Sequence, residues 1–397
     1  MKLRELSTYL KPQPLYLCFS PNGKLMAAQY GQDNNFMIGL WDIDNNKQVL
    51  EIPVGEFHHD LCFSPDGSIL AASEPFEITS LWDINKGSKI KSFNLGAGLG
   101  LKGLVFYSNG NKLIVGHGGR LHFINLKSPD TIREKNIRGV EEIECLSISN
   151  DEKFLAVGSR WDKNVYVIET KKWKTIHKFT EHNASITNIH FHPHLSILAS
   201  VSGDYYEYKP QKTKVAKGKI ILWDIQTGEK LKEFPCGGMW NTHGNFNSTG
   251  ELIVTNNERE VIIWNVSSGR KIHRFSVEME SNVLFSTAND FLAIWNLLRI
   301  SLYGVEGAPS NKKCKKCGQI IKSGDVTCSH CGYTEWRSIL FNGIFSLLCL
   351  GAAIFLSPII TSSFWRFAIR LGVGGLGVIM ILVTISCLIR AFKTAKK

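Results

Sequence analysis

One tetrapeptide returns along this chain at almost constant spacing. Leu40-Trp41-Asp42-Ile43, Leu81-Trp82-Asp83-Ile84 and Leu222-Trp223-Asp224-Ile225 are near copies, and Ile263-Trp264-Asn265-Val266 is a fourth. Degenerate versions fill the gaps at Phe123-Ile124-Asn125-Leu126, Val167-Ile168-Glu169-Thr170 and Leu302-Tyr303-Gly304-Val305. The Trp-equivalent positions 41, 82, 124, 168, 223, 264 and 303 give steps of 41, 42, 44, 55, 41 and 39 residues. A fixed period of this size marks an array in which each unit is one supersecondary element. Such a unit cannot bury its own faces, so neighbouring units must stack on one another.

A second landmark keeps the same period. Phe19-Ser20-Pro21-Asn22-Gly23, Phe63-Ser64-Pro65-Asp66-Gly67 and Phe106-Tyr107-Ser108-Asn109-Gly110 place an apolar residue before a turn sequence. Weaker copies start at Ile148, Phe191, Phe246 and Phe285. Pro fixes φ while Asn and Gly accept φ > 0, which suits these residues to tight turns. Strand-like runs such as Ile69-Leu70-Ala71-Ala72 and Ile197-Leu198-Ala199-Ser200 follow. Both landmarks count seven units.

On these residues the chain resembles the WD-repeat β-propellers over 2–306. The resemblance implies an all-β, seven-bladed propeller occupying 1–308, each blade a four-stranded antiparallel sheet around a central channel. It also implies that an early strand completes the last blade, and Arg4 to Leu10 is the candidate. Closure of this kind removes an exposed sheet edge. In the family a Trp, a Ser or Thr, an Asp and a His form a hydrogen-bonded cluster that stiffens a blade. Trp223, Ser200, Asp204 and His182 match it in the fifth unit, so the tryptophans read as structural rather than catalytic.

The net charge of +11 is localised. Residues 310–397 hold 12 Lys or Arg against Asp325 and Glu335, which leaves 34 basic and 33 acidic residues before them. A nearly neutral propeller lacks the basic face expected of a general nucleic-acid binder. Residues 1–14 have no apolar core run, so the expectation is a propeller kept in the cytosol.

Four of the ten cysteines cluster as Cys314-Lys315-Lys316-Cys317-Gly318 and Cys328-Ser329-His330-Cys331-Gly332. Two CxxC pairs at this separation can enclose one tetrahedral Zn²⁺ through four thiolates, with no open position for catalysis. The pattern resembles a short zinc ribbon over 312–334. Two disulfides or a redox pair are the alternatives, and neither suits a doubled motif in a cytosolic segment. Lysines around the motif could meet lipid headgroups or phosphates of nucleic acid. Cys18, Cys62, Cys145 and Cys236 fall inside repeats and read as small hydrophobes.

The tail, 337–397, reads as an α-helical transmembrane hairpin. Ser338 to Trp365 is free of charge, and Ile339 to Ile360 can span a bilayer. Leu371 to Ile389 is a second uncharged run of 19 residues, about 28 Å as a helix. Arg337 and the ribbon lysines precede the first span, and Arg390, Lys393, Lys396 and Lys397 follow the second. Both termini should therefore be cytoplasmic. The GxGxxG match at 372–377 lacks a βαβ context and carries no nucleotide-binding weight.

The 55-residue step enlarges the turn between the second and third strands of the fifth blade. That loop, 205–219, carries Tyr205, Tyr206, Tyr208, Lys209, Lys212, Lys214 and Lys217. In the family this turn lies on the face most used for partners, so the loop is a candidate protein-binding surface or a solvated insertion. His190, His192 and His194 alternate, but Pro193 and turn positions break a metal-site reading. No catalytic constellation and no small-molecule substrate emerge. The function expected is a membrane-anchored, non-enzymatic scaffold for protein partners. A nucleic-acid or anionic-lipid adaptor using the ribbon and loop is the alternative, and an enzyme working through the channel is a more distant rival.

Overall fold

The computed structural model describes residues 2–11, 13–32, 35–54, 60–74, 78–96, 101–128, 130–203, 218–236, 243–256, 259–278, 281–286, 291–306, 312–313 and 320–321. The chain divides into two units, Met1–Ser310 and Asn311–Lys397. In the first unit each repeat becomes one antiparallel sheet, and seven such sheets follow one another along the chain. They are numbered here as blades 1 to 7, spanning 17–53, 60–94, 101–136, 143–179, 186–235, 246–276 and 282–306. The Trp position always falls on a blade's third strand, as in Asn35–Asp42, Ile78–Asp83 and Lys219–Asp224.

Blade 7 takes its fourth strand from the other end of the sequence. Lys2–Leu10 pairs antiparallel with Arg299–Glu306, running from Lys2↔Glu306 to Leu10↔Arg299. The expected closing strand is therefore present and two residues longer than the candidate Arg4 to Leu10. Thr8 Oγ1 and Ser301 Oγ, 3.0 Å apart, add a side-chain contact across this latch.

The core forms seven wedges, one at each seam between consecutive blades. The period-2 alternation of a strand sends one face to the preceding blade and the other to the next, so both faces must be apolar. Blade 1 illustrates how tight the fit is. A Cβ on Gly39 would lie 2.5 Å from the Trp41 ring and 2.8 Å from that of Tyr30, so only glycine fits beneath these two aromatics.

The predicted turns are present, with Gly23, Gly67, Gly110 and Gly250 at φ of 67°, 75°, 67° and 76°. Blade 4 lacks the glycine, and Glu152 takes its place at φ 57°. Ser108 of the preceding blade holds that residue, its backbone N–H donating to Glu152 Oε1 at 2.6 Å.

Blade 6 departs from the pattern. Its ladder has three strands, and its inner edge is a single bridge between Phe246 and Ile253. Asn245 explains the shortfall: its side chain donates to Phe285 O and accepts from Phe285 N, both at 2.8 Å. The amide thus bonds the next blade as a strand neighbour would. In the second unit the described residues form one short ladder, Lys312–Lys313 against Ile320–Ile321.

Candidate partner-binding face

The best-matched structural cluster forms in blade 5. Trp223 Nε1–H donates to Ser200 Oγ at 2.8 Å, and His182 Nε2 lies 2.6 Å from the same oxygen. The indole stacks on Phe179 of blade 4, with ring centroids 4.1 Å apart and planes 6° from parallel. Burial pushes the His182 imidazole down to about 3, so it stays neutral. The expected fourth member, Asp204, lies outside the described residues. Blade 6 keeps half of the arrangement, with Trp264 Nε1–H donating to Thr255 Oγ1 at 2.9 Å. In blade 2 the register puts Ala72 where Ser200 stands, and the buried Trp82 Nε1–H has no hydrogen-bond partner. These tryptophans hold blades together and touch no solvent-facing site.

One rim of the ring carries the connections between blades and the turns between second and third strands. The blade 5 turn, from Gly203 to Gly218, belongs to it, anchored by Gly203 N–H to Ser185 O and Cys236 N–H to Gly218 O, both 3.1 Å. Tyr205, Tyr206, Tyr208, Lys209, Lys212, Lys214 and Lys217 themselves lie outside the described residues.

The same rim carries a tryptophan outside the recurring Trp-Asp position. Trp161 sits on the equivalent turn of blade 4 and is 42% exposed. Its indole N–H donates to the buried carboxylate of Glu142, which also takes Arg160 Nη1 at 3.2 Å. The Arg160 guanidinium lies 4.8 Å from the Trp161 ring centroid. Tyr166 OH braces the turn from below, 2.6 Å from Gly139 O and 3.0 Å from Asp162 Oδ2. An indole fixed in advance loses little entropy on binding, and Trp and Arg are the side chains that most often dominate interfaces.

Inside the rim the first strands of neighbouring blades contact one another around the axis. They carry charges that repeat periodicity did not single out. Lys102 Nζ of blade 3 lies 2.9 Å from both carboxylate oxygens of Glu144 in blade 4, with both side chains buried. Asp60 Oδ2 accepts the Leu104 N–H at 2.9 Å. Burial raises the Asp60 carboxyl to about 6, against the pull of the Leu104 and Leu61 N–H groups, and nearby Glu144 adds to the rise. These groups tie blades 2, 3 and 4 together at the axis. Their sequence signal was a charge inside an otherwise apolar first strand, as in Ile143-Glu144-Cys145-Leu146.

The remaining predicted residues fall as follows. Cys18, Cys62, Cys145 and Cys236 are free thiols. Burial pushes the Cys62 thiol up to about 12 and raises the others, which makes them inert packing groups. His192 is structural: Nδ1 accepts the N–H groups of His194 and Leu195 at 3.0 Å, and Nε2 lies 3.1 Å from Gly250 O. Among the described residues no three His, Cys, Asp or Glu side chains are grouped to hold a metal ion. Cys314, Cys317, Cys328 and Cys331 lie outside those residues, as do the two apolar runs of the tail. No helix among the described residues is long and apolar enough to cross a membrane.

The family described as WD domain, G-beta repeat, matches residues 135–169 and 173–206. Two of the seven repeats thus match the WD repeat, and the ring is similar to a WD-repeat propeller. Apoptotic protease-activating factor 1 of Homo sapiens is 22% identical over 377 residues, covering 82% of this chain and 29% of that protein. A putative BTB/POZ domain and WD-repeat protein of Acanthamoeba polyphaga mimivirus is 25% identical over 261 residues, covering 58% and 46%. The chain thus spans less than half the length of either relative. A chain in the crystal structure of a mitotic checkpoint complex superposes with a TM-score of 0.64 at 16% identity, covering 76% of this chain and 91% of that one. That likeness is one of fold.

Proposed function

We propose that this protein is a membrane-tethered, non-enzymatic scaffold whose propeller recruits protein partners in the cytoplasm. The observation that carries the reading is Trp161, half-exposed yet pinned by Glu142 and flanked by Arg160, on the rim that also carries the enlarged blade 5 turn. The tail would confine partners at the bilayer and raise their effective concentration without chemistry of its own.

The second unit supports the zinc reading. Its ladder, Lys312–Lys313 with Ile320–Ile321, brackets Cys314 and Cys317 in sequence. A strand pair closing on a CxxC segment is the geometry in which a knuckle presents two thiolates to one metal. Cys314, Cys317, Cys328 and Cys331 would hold the ion, which would supply structural cross-linking alone. The uncharged runs Ile339 to Ile360 and Leu371 to Ile389 would span the bilayer with both termini cytoplasmic.

Proximity labelling in the native host tests the scaffold, comparing the full chain with Trp161→Ala and with a chain whose residues 205–217 are replaced by a short Gly-Ser turn. A defined set of labelled proteins that falls away in either variant supports the reading. Labelling unchanged in both refutes this face as the partner surface, and recovery of mainly nucleic-acid-associated proteins would promote the adaptor alternative.

A further inference from the structure

The seam between blades 3 and 4 is built differently from its neighbours. On an outer strand, the residue opposite the place three before the Trp position fills the seam toward the next blade. Ile52, Phe93, Phe179 and Phe234 stand there in blades 1, 2, 4 and 5, and all four are buried. Blade 3 puts Lys135 in this place, opposite Leu121, and leaves it exposed. Blade 4 has Ile168 at the Trp position, so both aromatics of the blade 5 arrangement are missing. Trp173 supplies a ring from another place. It occupies the turn position of Gly87, Gly228 and Gly269 in blades 2, 5 and 6, at φ 53° where those glycines have 65°, 77° and 70°. A bulky residue rarely adopts that conformation. Its ring meets Phe123 of blade 3 edge-on, with centroids 4.7 Å apart, and Lys135 Nζ lies 5.7 Å from its centroid.

Cations gather along this outer end of the seam. Arg133 and Lys135 stand two residues apart on Ile132–Asn136, opposite Phe123 and Leu121, and so share one face of the strand. Leu121 belongs to the cluster that fills the seam, which makes this the face toward blade 4. Lys178 answers from blade 4, opposite Tyr166 of the same cluster, with its Nζ 5.2 Å from that ring's centroid. Lys171 and Lys174 flank Trp173 in the sequence. All five cations are exposed, and none forms an ion pair with another described residue. Lys172 is paired, with Glu169 at 3.6 Å. Glu134, between Arg133 and Lys135, lies on the opposite face, 3.6 Å from His122 Nδ1. The counterparts of Arg133 in blades 2 and 5 are committed, Lys91 to Asp130 at 2.6 Å and Lys232 to Val266 O at 2.9 Å. The nearly neutral total of the propeller thus conceals a local cationic strip.

We propose that an acidic segment of a partner protein binds here as an added strand along Ile132–Asn136, with alternate carboxylates beside Arg133 and Lys135 and within reach of Lys174 and Lys178. Ile132–Asn136 is the last strand of its sheet, and a strand in that position is a template for another. Side chains two residues apart recur every ~6.6 Å in an extended chain, so acids at alternate positions meet the two cations in register. Opposite charges facing each other across strands stabilise the pairing, and like charges oppose it. Other anionic partners fit less well. Single-stranded nucleic acid binds by stacking bases on aromatic faces, and the Trp173 ring is already engaged by Phe123 and Lys135. A lipid headgroup surface offers negative charge but no backbone to pair with the strand. The proposal rests on the reading of the propeller as a protein-binding scaffold and adds a surface on its outer edge, apart from Trp161.

The test follows the fluorescence anisotropy of two labelled peptides titrated with the full chain in detergent. One alternates Glu and Thr, and the other has the same composition with all its Glu first. The alternating peptide should bind about tenfold more tightly than its isomer. Arg133→Glu with Lys135→Glu should weaken it by about tenfold or more. The same change of charge on blade 1, Lys24→Glu with Lys47→Glu, should leave its affinity within about twofold. Should the first variant melt lower than the wild type, Arg133→Gln with Lys174→Gln decides, since both side chains are exposed, and the same loss is expected. No binding, equal binding of the two peptides, or a loss shared by the blade 1 variant overturns the proposal. Oligothymidine and a short-chain phosphatidylserine are titrated in the same way. Binding of either that depends on Arg133 and Lys135, without binding of the alternating peptide, also overturns it and assigns the strip to nucleic acid or lipid. Any of these failures leaves the scaffold reading standing wherever labelled partners are still lost on Trp161→Ala.

Discussion

Ser200→Ala is the substitution for which the structure gives the clearest magnitude. The hydroxyl accepts the Trp223 indole N–H at 2.8 Å and meets His182 Nε2 at 2.6 Å, with all three residues buried. Alanine leaves both partners in the seam with nothing to bond. A buried polar group stripped of its partner costs about 1–3 kcal/mol, so two should cost about 2–6 kcal/mol. For a ring of about 300 residues the unfolding entropy is about 0.6 kcal/mol/K, which converts the loss into a fall of about 3–10 °C in Tm. Tryptophan fluorescence during a thermal ramp reads this directly, since Trp223 is itself in the perturbed seam. Ser200→Thr keeps the hydroxyl, as Thr255 does beneath Trp264 in blade 6, and should recover most of the loss. A melting temperature within about 1 °C of the wild type for Ser200→Ala would show the hydrogen bonds to be dispensable, as expected only of a surface change. That result would undo the account of how the Trp-Asp beat stabilises the ring.

Other consequences can be measured with the same protein. Unfolded His182 takes its proton at the ordinary 6.5 while burial keeps the folded residue neutral down to about 3. Its contribution is therefore complete above pH 6.5 and declines toward pH 3, by about 2 kcal/mol at pH 5, and His182→Gln should flatten this slope in pH-resolved denaturant titrations. Asp60 acts in the opposite sense, because its carboxyl is raised to about 6 and the folded state binds that proton first on acidification. Asp60→Asn should therefore stabilise the protein more at pH 7 than at pH 5, and a gain independent of pH would contradict the assignment. Removal of Lys2–Leu10 exposes the edge of Arg299–Glu306 and should move the protein to larger species on size exclusion; an unchanged elution volume would show that the latch is not needed. Cys317→Ser should reduce bound zinc from about one ion per chain to a trace, with full zinc content counting against the four-cysteine site.

What could be read from the sequence was whatever the repeat itself encodes. The Trp223, Ser200 and His182 contacts follow from the motif, and the closing strand from the family resemblance, which implies that a strand before the first unit completes the last blade. Trp161 escaped because it lies off the beat: its meaning depends on Glu142, which precedes the first strand of blade 4 and meets it only when that strand pairs with the second, Ile143 opposite Ser159. Pairings across seams are set by stacking, and a single repeat does not report them. The thinned inner edge of blade 6 belongs to this class, since the Asn245 side chain bonds Phe285 of blade 7 while only its backbone carbonyl, taking the Val254 N–H at 3.2 Å, joins its own sheet.

The latch also sets a timetable. Of the ring's strands Lys2–Leu10 is synthesised first, and its partner Arg299–Glu306 last. At ~5–20 residues per second, roughly 15–60 s separate them on the ribosome. Blades 1 to 6 can stack one by one in that interval, each on its predecessor, while the first strand waits without its partner. A chaperone that shields Lys2–Leu10 would be needed only during this window, and a translational pause before Arg299 would lengthen it. The ring is thus most open to misassembly while it is nearly complete, before its two ends have met.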